Sequence, residues 1–417
     1  MDTTTGIGPD DGADARMHIA VYIPTLAGGG AEQSMLRLAE TLAERGHLVD
    51  LLVNRRAGAH ADRLPNGVRL VELARHGKLR GRLDALRAYP GDTAALLRPV
   101  LLARTPVMTL RYLPGLASYL SRAQPAVLVS ALFYANLLAI WARRLARVDT
   151  RLIVTEHNNL SRRIAQGRTR SAERARWRYL PELLGRVYPR ADAIVAVSNG
   201  VADDLAEITQ LDRAAVHTIH NPVVFPELPE RAREPDDHPW FTAGAPPVVL
   251  AAGRLEAQKN FALLLDAVAV VRRQRPLRLM ILGEGSQRDA LSAQAERLGI
   301  AADIELRGWV GNPYAAMSRA AAFVLSSNWE GLGNVLIEAM ACGCPVVATD
   351  CPSGPREILN HGEHGRLVPM NDVTALADAL NATLDAPVQA DRLRDRAEAF
   401  STAKSADRYL ALIDQIA

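Results

Sequence analysis

HIAVYIPTLAGGGAEQSMLRLAETLAERGHLVDLLV, residues 18–53, decides the fold class. It opens with a β-type apolar run at His18–Pro24 and turns through Gly28-Gly29-Gly30. A helical pattern follows over Ala31–Arg45, then a second apolar run at Leu48–Val53. Strand, glycine turn, helix, strand is the opening of a doubly wound α/β domain built on a parallel sheet. The turn lacks the G-x-G-x-x-G dinucleotide fingerprint. Its glycines still allow the backbone to approach a diphosphate or an acceptor at a helix start.

Working outward, apolar runs at Ala126–Val129, Leu152–Thr155, Ala193–Val197 and Ala215–Ile219 extend the same sheet. The segment Pro222–Pro247 then holds seven prolines among polar residues, which favours a linker over regular structure. The alternation restarts beyond it. Strands are expected at Val248–Ala252, Arg278–Leu282, Ile304–Arg307, Ala322–Leu325 and Pro345–Thr349. Helices are expected at Asn260–Arg273, Asp289–Leu298, Tyr314–Ala320 and Val335–Ala341. The chain therefore reads as a disordered tail (1–16), a first Rossmann-like domain (17–224), a linker (225–246), a second Rossmann-like domain (247–400) and a closing helical segment (401–417) able to pack on either domain. Ligand crevices lie at the carboxyl ends of such sheets, so a cleft between the two domains is the expected site.

At 417 residues the chain suits two domains. The first sixteen residues lack the positive start and apolar run of a secretory signal, and no stretch approaches the ~20 apolar residues of a membrane span. Cys342, Cys344 and Cys351 lack the partners of a zinc site and read as reduced, buried thiols, which points to the cytoplasm. Lys plus Arg against Asp plus Glu is 30 to 23 over residues 1–230, and 21 to 6 within 78–190 alone. Such a bias concerns partners rather than fold.

Ser326–Ala348 reads SSNWEGLGNVLIEAMACGCPVVA. A strand ends near Ser326, a loop carries Glu330 and Gly331-Leu332-Gly333, and a helix begins near Asn334. Free amides at a glycine-preceded helix start suit phosphate, whereas two carboxylates beside them suit sugar hydroxyls. Taken singly, Glu330 reads as a surface residue and Glu338 as a helix-solvating one. Together, with seven residues between them, they resemble the E-x7-E motif of retaining family 4 glycosyltransferases with the GT-B fold. Further segments resemble that family in order: Gly28–Glu32, Glu156-His157-Asn158, Val197-Ser198, His220-Asn221-Pro222, Gly253-Arg254-Leu255 with Gln258-Lys259-Asn260, Ile281–Gly285 around Gly283, and Gly308-Trp309-Val310 with Asn312-Pro313.

The resemblance implies roles. Arg254 and Lys259 would bind the donor diphosphate, the first through a planar two-bond fit and the second as a point charge. Glu338 would accept the ribose hydroxyls, Glu330 would contact the transferred sugar, and the backbone of Gly331, Leu332, Gly333 and Asn334 would meet sugar and diphosphate. Gly253 and Gly283 would line the donor site. Trp309 and Val310 would frame the base, although Trp309 also reads as a packed aromatic. His157 would face the donor sugar. Gly28, Gly29 and Gly30 would form the phosphate or acceptor loop, with Glu32 orienting the acceptor or capping its helix.

Members of the family retain anomeric configuration without a bound metal or cofactor, and no Asp-x-Asp pair sits at a strand end here. Asp350–Asn360 (DCPSGPREILN) resembles enzymes of polysaccharide and lipid-linked oligosaccharide assembly that use UDP-N-acetylhexosamines. In that segment Ser353 and Gly354 would shape the donor pocket and Glu357 would steady the loop. Lys78–Arg87, Leu96–Arg122 and Arg162–Arg190 mix arginine with apolar residues. They read either as solvated helices or as a face resting on anionic lipid and receiving a polyprenyl-diphosphate-linked glycan. No nucleic-acid motif accompanies the charge. The expected activity is transfer of a hexose or N-acetylhexosamine from a UDP-sugar at the inner membrane face. A sugar-nucleotide epimerase and a non-catalytic nucleotide-sugar binder are the alternatives.

Overall fold

The computed structural model describes residues 16–58, 64–96, 100, 108–168 and 174–417. The expected tail lies outside them except for Arg16. So do the readings on Arg98, Leu101, Leu102 and Arg104, and on the side chains of Arg174 and Arg176.

Among the described residues, thirteen strands form two wholly parallel sheets. The first contains β1 (His18–Tyr22), β2 (Leu48–Val53), β3 (Val68–Glu72), β4 (Val127–Ala131), β5 (Arg151–Glu156), β6 (Ala193–Ala196) and β7 (Val216–Thr218), in the order β3-β2-β1-β4-β5-β6-β7. The second contains β8 (Val248–Ala252), β9 (Arg278–Leu282), β10 (Ile304–Gly308), β11 (Ala322–Leu325), β12 (Val346–Thr349) and β13 (Arg366–Val368), in the order β10-β9-β8-β11-β12-β13. Central strands such as β4 and β8 are buried at every position, because helices cover both faces and both sets of side chains must be apolar. In each sheet the order reverses once, at β1/β4 and at β8/β11. Ligand crevices of doubly wound sheets open at such reversals.

The proline-rich segment differs from the expected linker. It contains a short helix, Leu228–Arg233, whose proline sits in the first turn, where no amide hydrogen bond is lost. Asp236 then takes a two-bond contact from Arg307 at 2.7 and 3.0 Å, and the Asn312 amide donates to the Arg231 carbonyl at 2.8 Å. The segment is therefore clasped to the second sheet's domain. The closing helix, Thr402–Ile416, buries Ala406, Tyr409, Leu412 and Ile413 in a cluster with Met35, Leu38 and Leu42 of the Gly30–Glu44 helix. It thus packs on the first domain. The chain crosses between domains twice, side by side. Val223 and Val224 both donate to the Phe400 carbonyl, at 2.9 and 3.1 Å, and Thr402 donates back to Val224 at 2.8 Å.

Candidate functional site

The site is built where the two sheet reversals face each other. After β1, Gly28 (φ +91°) and Gly29 lead into the Gly30–Glu44 helix. After β11, the Glu330–Gly333 loop leads into the Asn334–Ala341 helix, with Gly333 at φ +99° making the turn. These two helix starts meet. The Asn334 side-chain amide lies 3.3 Å from the Gly30 carbonyl and 3.0 Å from Ser34 Oγ, while its Oδ1 accepts from Asn221 at 2.9 Å. The backbones approach equally closely elsewhere in the cleft: a Cβ on Gly331 would lie 2.0 Å from the His157 carbonyl oxygen. Ser198 Oγ donates to the Gly331 carbonyl at 2.6 Å. Free helix-terminal amides from both domains thus converge on one small region, an arrangement that favours an anion.

The charged residues expected around that region occupy it in specific pairings. Glu330 is buried, and its Oε1 takes bonds from Lys259 Nζ and Ser327 Oγ, both at 2.6 Å. The Lys259 stem crosses Gly253, where a Cβ would meet it at 2.9 Å; Gly253 has φ +149°. Gly283 (φ +137°) packs beneath, its Cβ position 2.0 Å from the Gly253 carbonyl oxygen. Lys259 therefore engages the Glu330 carboxylate directly, a contact absent from the expected diphosphate-only role. Arg254 differs: it is exposed and makes no side-chain hydrogen bond or ion pair among the described residues. A free guanidinium at a strand end suits a planar two-oxygen partner.

Glu338 is not a helix-solvating residue. Burial raises its carboxyl above the ordinary range, and Arg37 and Tyr314 act against that shift. Its Oε1 is 3.4 Å from Arg37 and 3.2 Å from the Tyr314 hydroxyl. Trp309 is 67% exposed, which overturns the packed-aromatic alternative. Val310 beside it packs partly against the core. Leu332 is buried, and its carbonyl lies against Gly354.

His157 follows β5 and is buried, with Nε2 3.0 Å from Thr155 Oγ1. Burial pushes its pKa down to about 4, with Asn221 acting weakly the other way, so the imidazole is neutral at neutral pH. The preceding Glu156 is fully buried, and burial pushes its carboxyl up to about 8. Glu32 is half-buried and folds back over Gly29 at its own helix start, where it accepts from the Thr25 hydroxyl at 3.4 Å.

The Asp350–Asn360 segment also spans the cleft. Asn159 donates to Ser353 Oγ at 3.2 Å, and a Cβ on Gly200 would lie 2.8 Å from Ser353 Cα. A Cβ on Gly354 (φ +98°) would meet the Leu332 carbonyl. Glu357 bridges to the Asn199 amides, both at 2.9 Å, and to His220 Nε2 at 2.6 Å. Arg37, Tyr314 and Ser34 are site neighbours that the sequence motifs missed. For Arg37 a signal existed, since an arginine set among Met35, Leu36, Leu38 and Ala39 occupies an apolar stripe and needs a partner. Among the described residues, no group of three or more His, Cys, Asp or Glu is placed to hold a metal ion, and all three cysteines are free and buried.

Two family models match consecutive parts of the chain: Glycosyltransferase Family 4 over residues 28–224, and Glycosyl transferases group 1 over residues 233–400. One relative is the N-acetylgalactosamine-N,N'-diacetylbacillosaminyl-diphospho-undecaprenol 4-alpha-N-acetylgalactosaminyltransferase of Campylobacter jejuni. It is 33% identical over 228 residues, covering 54% of this chain and 60% of that protein. The lipopolysaccharide core biosynthesis glycosyltransferase LpsE of Rhizobium meliloti is 34% identical over 172 residues, 40% of this chain and 49% of its own length. The chain thus spans about half to three-fifths of the length of these relatives. Anabaena HepE in complex with UDP-glucose superposes with TM-score 0.75 at 18% identity, covering 96% of this chain and 100% of that one. The apo form of the lipopolysaccharide outer core galactosyltransferase WaaB does so with TM-score 0.66 at 20% identity, covering 96% and 99%. Likenesses at such identities concern the fold, and they agree with two facing α/β domains. The two family models follow one another along the chain as the two sheets do, and the chain belongs to the family 4 glycosyltransferases of the GT-B fold.

Proposed function

We propose that the protein is a retaining glycosyltransferase that needs no metal or cofactor. It moves a hexose or N-acetylhexosamine from a UDP-sugar to a polyprenyl-diphosphate-linked glycan at the inner membrane face. The observation that carries this reading is the meeting of two helix starts, one from each domain, at Asn334 and Gly30, with Glu330 and Glu338 on either side of the second start, and with unpaired Arg254 just after β8, the strand beside β11. Amides and cations preorganised at one point match the charge that develops on a departing diphosphate. Glu330, held by Lys259 and Ser327, keeps a carboxylate in place for a sugar hydroxyl, and neutral His157 offers a hydrogen bond rather than a charge. The name of the Campylobacter relative supports an undecaprenol-diphosphate-linked acceptor, and the UDP-glucose complex of HepE supports a UDP-sugar donor.

In the proposed reaction the acceptor oxygen bonds to the anomeric carbon on the face from which the phosphate oxygen leaves. The acceptor's proton passes to that departing oxygen, so atoms and charge balance without a protein base. Purified full-length protein incubated with UDP-, GDP- and ADP-sugars, with and without a polyprenyl-diphosphate-linked acceptor, tests the reading by mass spectrometry and by NMR of the product anomer. Acceptor-dependent transfer from a UDP-sugar with retained configuration, unchanged by EDTA, is expected. Conversion of the donor to an epimer without acceptor, or binding of donor with no turnover on any acceptor, would overturn it.

A further inference from the structure

Arg37 lies in the second turn of the Gly30–Glu44 helix, in the first domain, yet its guanidinium ends in the second. It is only 8% exposed. NH1 donates to the Val223 carbonyl at 2.7 Å, so the group is anchored at the crossover between domains. NH2 donates to the Tyr314 hydroxyl at 2.9 Å and lies 3.4 Å from Glu338 Oε1. The Phe225 ring sits 4.4 Å from its Cζ, and Phe225 meets Tyr314 edge-on at 5.7 Å. A buried arginine with these partners is fixed in one pose, because each partner removes a rotamer and a desolvated guanidinium must keep its bonds.

The consequence falls on Glu338. Arg37 and Tyr314 both engage Oε1, whereas Oε2 makes no hydrogen bond among the described residues. One carboxylate oxygen is clamped and the other is left to accept a hydroxyl. We infer that Arg37 is a cross-cleft positioning residue: reaching from the first domain, it holds Glu338 oriented and charged for the donor's ribose only when the domains are closed. This rests on the reading of Glu338 as a donor-binding group. It adds that the donor site is incomplete without the first domain, so donor affinity and closure are coupled.

The groups facing Glu338 are Arg37, Tyr314, Arg231, which sits 4.9 Å over the Tyr314 ring, and Cys342. Burial raises the Glu338 carboxyl and Arg37 is the first of the groups opposing that rise. Without Arg37 the carboxyl therefore titrates at higher pH, and the charged acceptor is lost on the acid side sooner.

Calorimetric titration of UDP into the full-length protein between pH 6 and pH 9 tests this, using wild type, Arg37→Met, Arg37→Lys, Tyr314→Phe and Glu338→Gln. Arg37→Met is expected to weaken UDP binding tenfold or more at pH 7 and to regain part of it toward pH 9. Arg37→Lys keeps the charge and recovers most of the affinity. Tyr314→Phe shifts the pH profile the same way by a smaller amount, and it carries the test if Arg37→Met fails to fold. Glu338→Gln weakens binding with no such pH dependence. Weak binding by Glu338→Gln, with wild-type affinity and pH profile in the Arg37 and Tyr314 variants, overturns the positioning role and leaves the donor reading standing. Wild-type binding by Glu338→Gln overturns the donor reading itself.

Discussion

The Lys259–Glu330 pair sets the terms at the scale of single residues. Its side chains are 14% and 7% exposed, so the 2.6 Å contact is a desolvated ion pair rather than a surface one. Breaking such a pair from one side leaves a buried charge without a partner and costs about 3 kcal/mol or more. Lys259 also has Gly253 beneath its stem, which keeps the ammonium at the end of β8, beside the converging helix starts. We therefore expect Lys259→Met to lower the melting temperature and to weaken UDP binding more than tenfold. Glu330→Gln keeps an oxygen for Ser327 and should bind UDP within about threefold of wild type while losing most of its turnover. A double-mutant cycle on UDP affinity should give a coupling of about 1 kcal/mol, as for residues in direct contact. Wild-type UDP binding by Lys259→Met would remove the lysine from the donor site. Glu330 and Glu338 were legible as a pair from their spacing. Arg37 stood out only as an arginine in an apolar stripe; its partner did not, because no local pattern records a contact 301 residues away.

At the scale of elements, the inner strands and the edge strands β7 and β10 were legible, and the edge strands β3 and β13 were not. β8, β9 and β11 are short apolar runs buried on both faces, and they coincide with the expected spans residue for residue. β3 (VRLVE) alternates and is half-exposed, and β13 has three residues, so neither leaves a signal distinguishable from a loop. The carboxyl end of β5 shows what periodicity cannot report. Glu156 there accepts from Tyr188 and from Asn136 at 3.1 Å through Oε1, and its buried Oε2 has no partner among the described residues. A lone buried oxygen of this kind favours the protonated acid, in line with a carboxyl pushed up to about 8 by burial. The sign follows from proton counts. Between the ordinary carboxyl range and pH 8 the folded chain holds a proton that the unfolded chain has released, so stability falls as pH rises through that window. His157, pushed down to about 4, acts oppositely below the ordinary histidine range, and the two offset one another where the windows overlap. We expect the wild-type melting temperature to fall from pH 6.5 to pH 8, with a slope of up to about 1.4 kcal/mol per pH unit from this group. Glu156→Gln should flatten that limb, and an unchanged slope in the variant would place the titration elsewhere.

At the scale of the whole molecule, the excess of 21 basic over 6 acidic residues within 78–190 has been partly spent inside the fold. Asp84 takes Arg80 and Arg87, Asp92 takes Arg190, Glu182 takes Arg186, and Asp192 takes Arg143. The apolar residues that the sequence suggested for a lipid face are mostly core: Leu110, Leu113, Trp177 and Leu180 are buried, because their helices turn those sides onto the first sheet. Among the described residues of this region, the exposed large apolar side chains are on the Lys78–Ala88 helix. Its small underside, Gly81, Ala85 and Ala88, is buried, and a Cβ on Gly81 would lie 2.1 Å from the Leu110 carbonyl oxygen, so the helix cannot roll. Its outer side presents Leu79, 70% exposed, and Leu83, 41% exposed, one turn apart and flanked by exposed Arg75 and Lys78. Among the described residues no helix is long and apolar enough to cross a membrane. The proposed contact with a bilayer is assigned to this face. Two leucines entering the acyl boundary contribute about 3 kcal/mol, and each nearby cation about 1 kcal/mol against an anionic surface. Both terms are needed for reversible attachment, which makes the proposed membrane association sensitive to lipid charge, salt and these two leucines together. In flotation, the full-length protein should rise with vesicles containing phosphatidylglycerol at low salt, and not with phosphatidylcholine alone or at 0.5 M salt, where screening shortens the reach of the charges. The double variant Leu79→Ser/Leu83→Ser alters only exposed positions and should keep its melting temperature while losing flotation. Wild-type flotation by that variant would move the contact to another face, and no flotation by the wild type on anionic vesicles would remove the bilayer from the proposal.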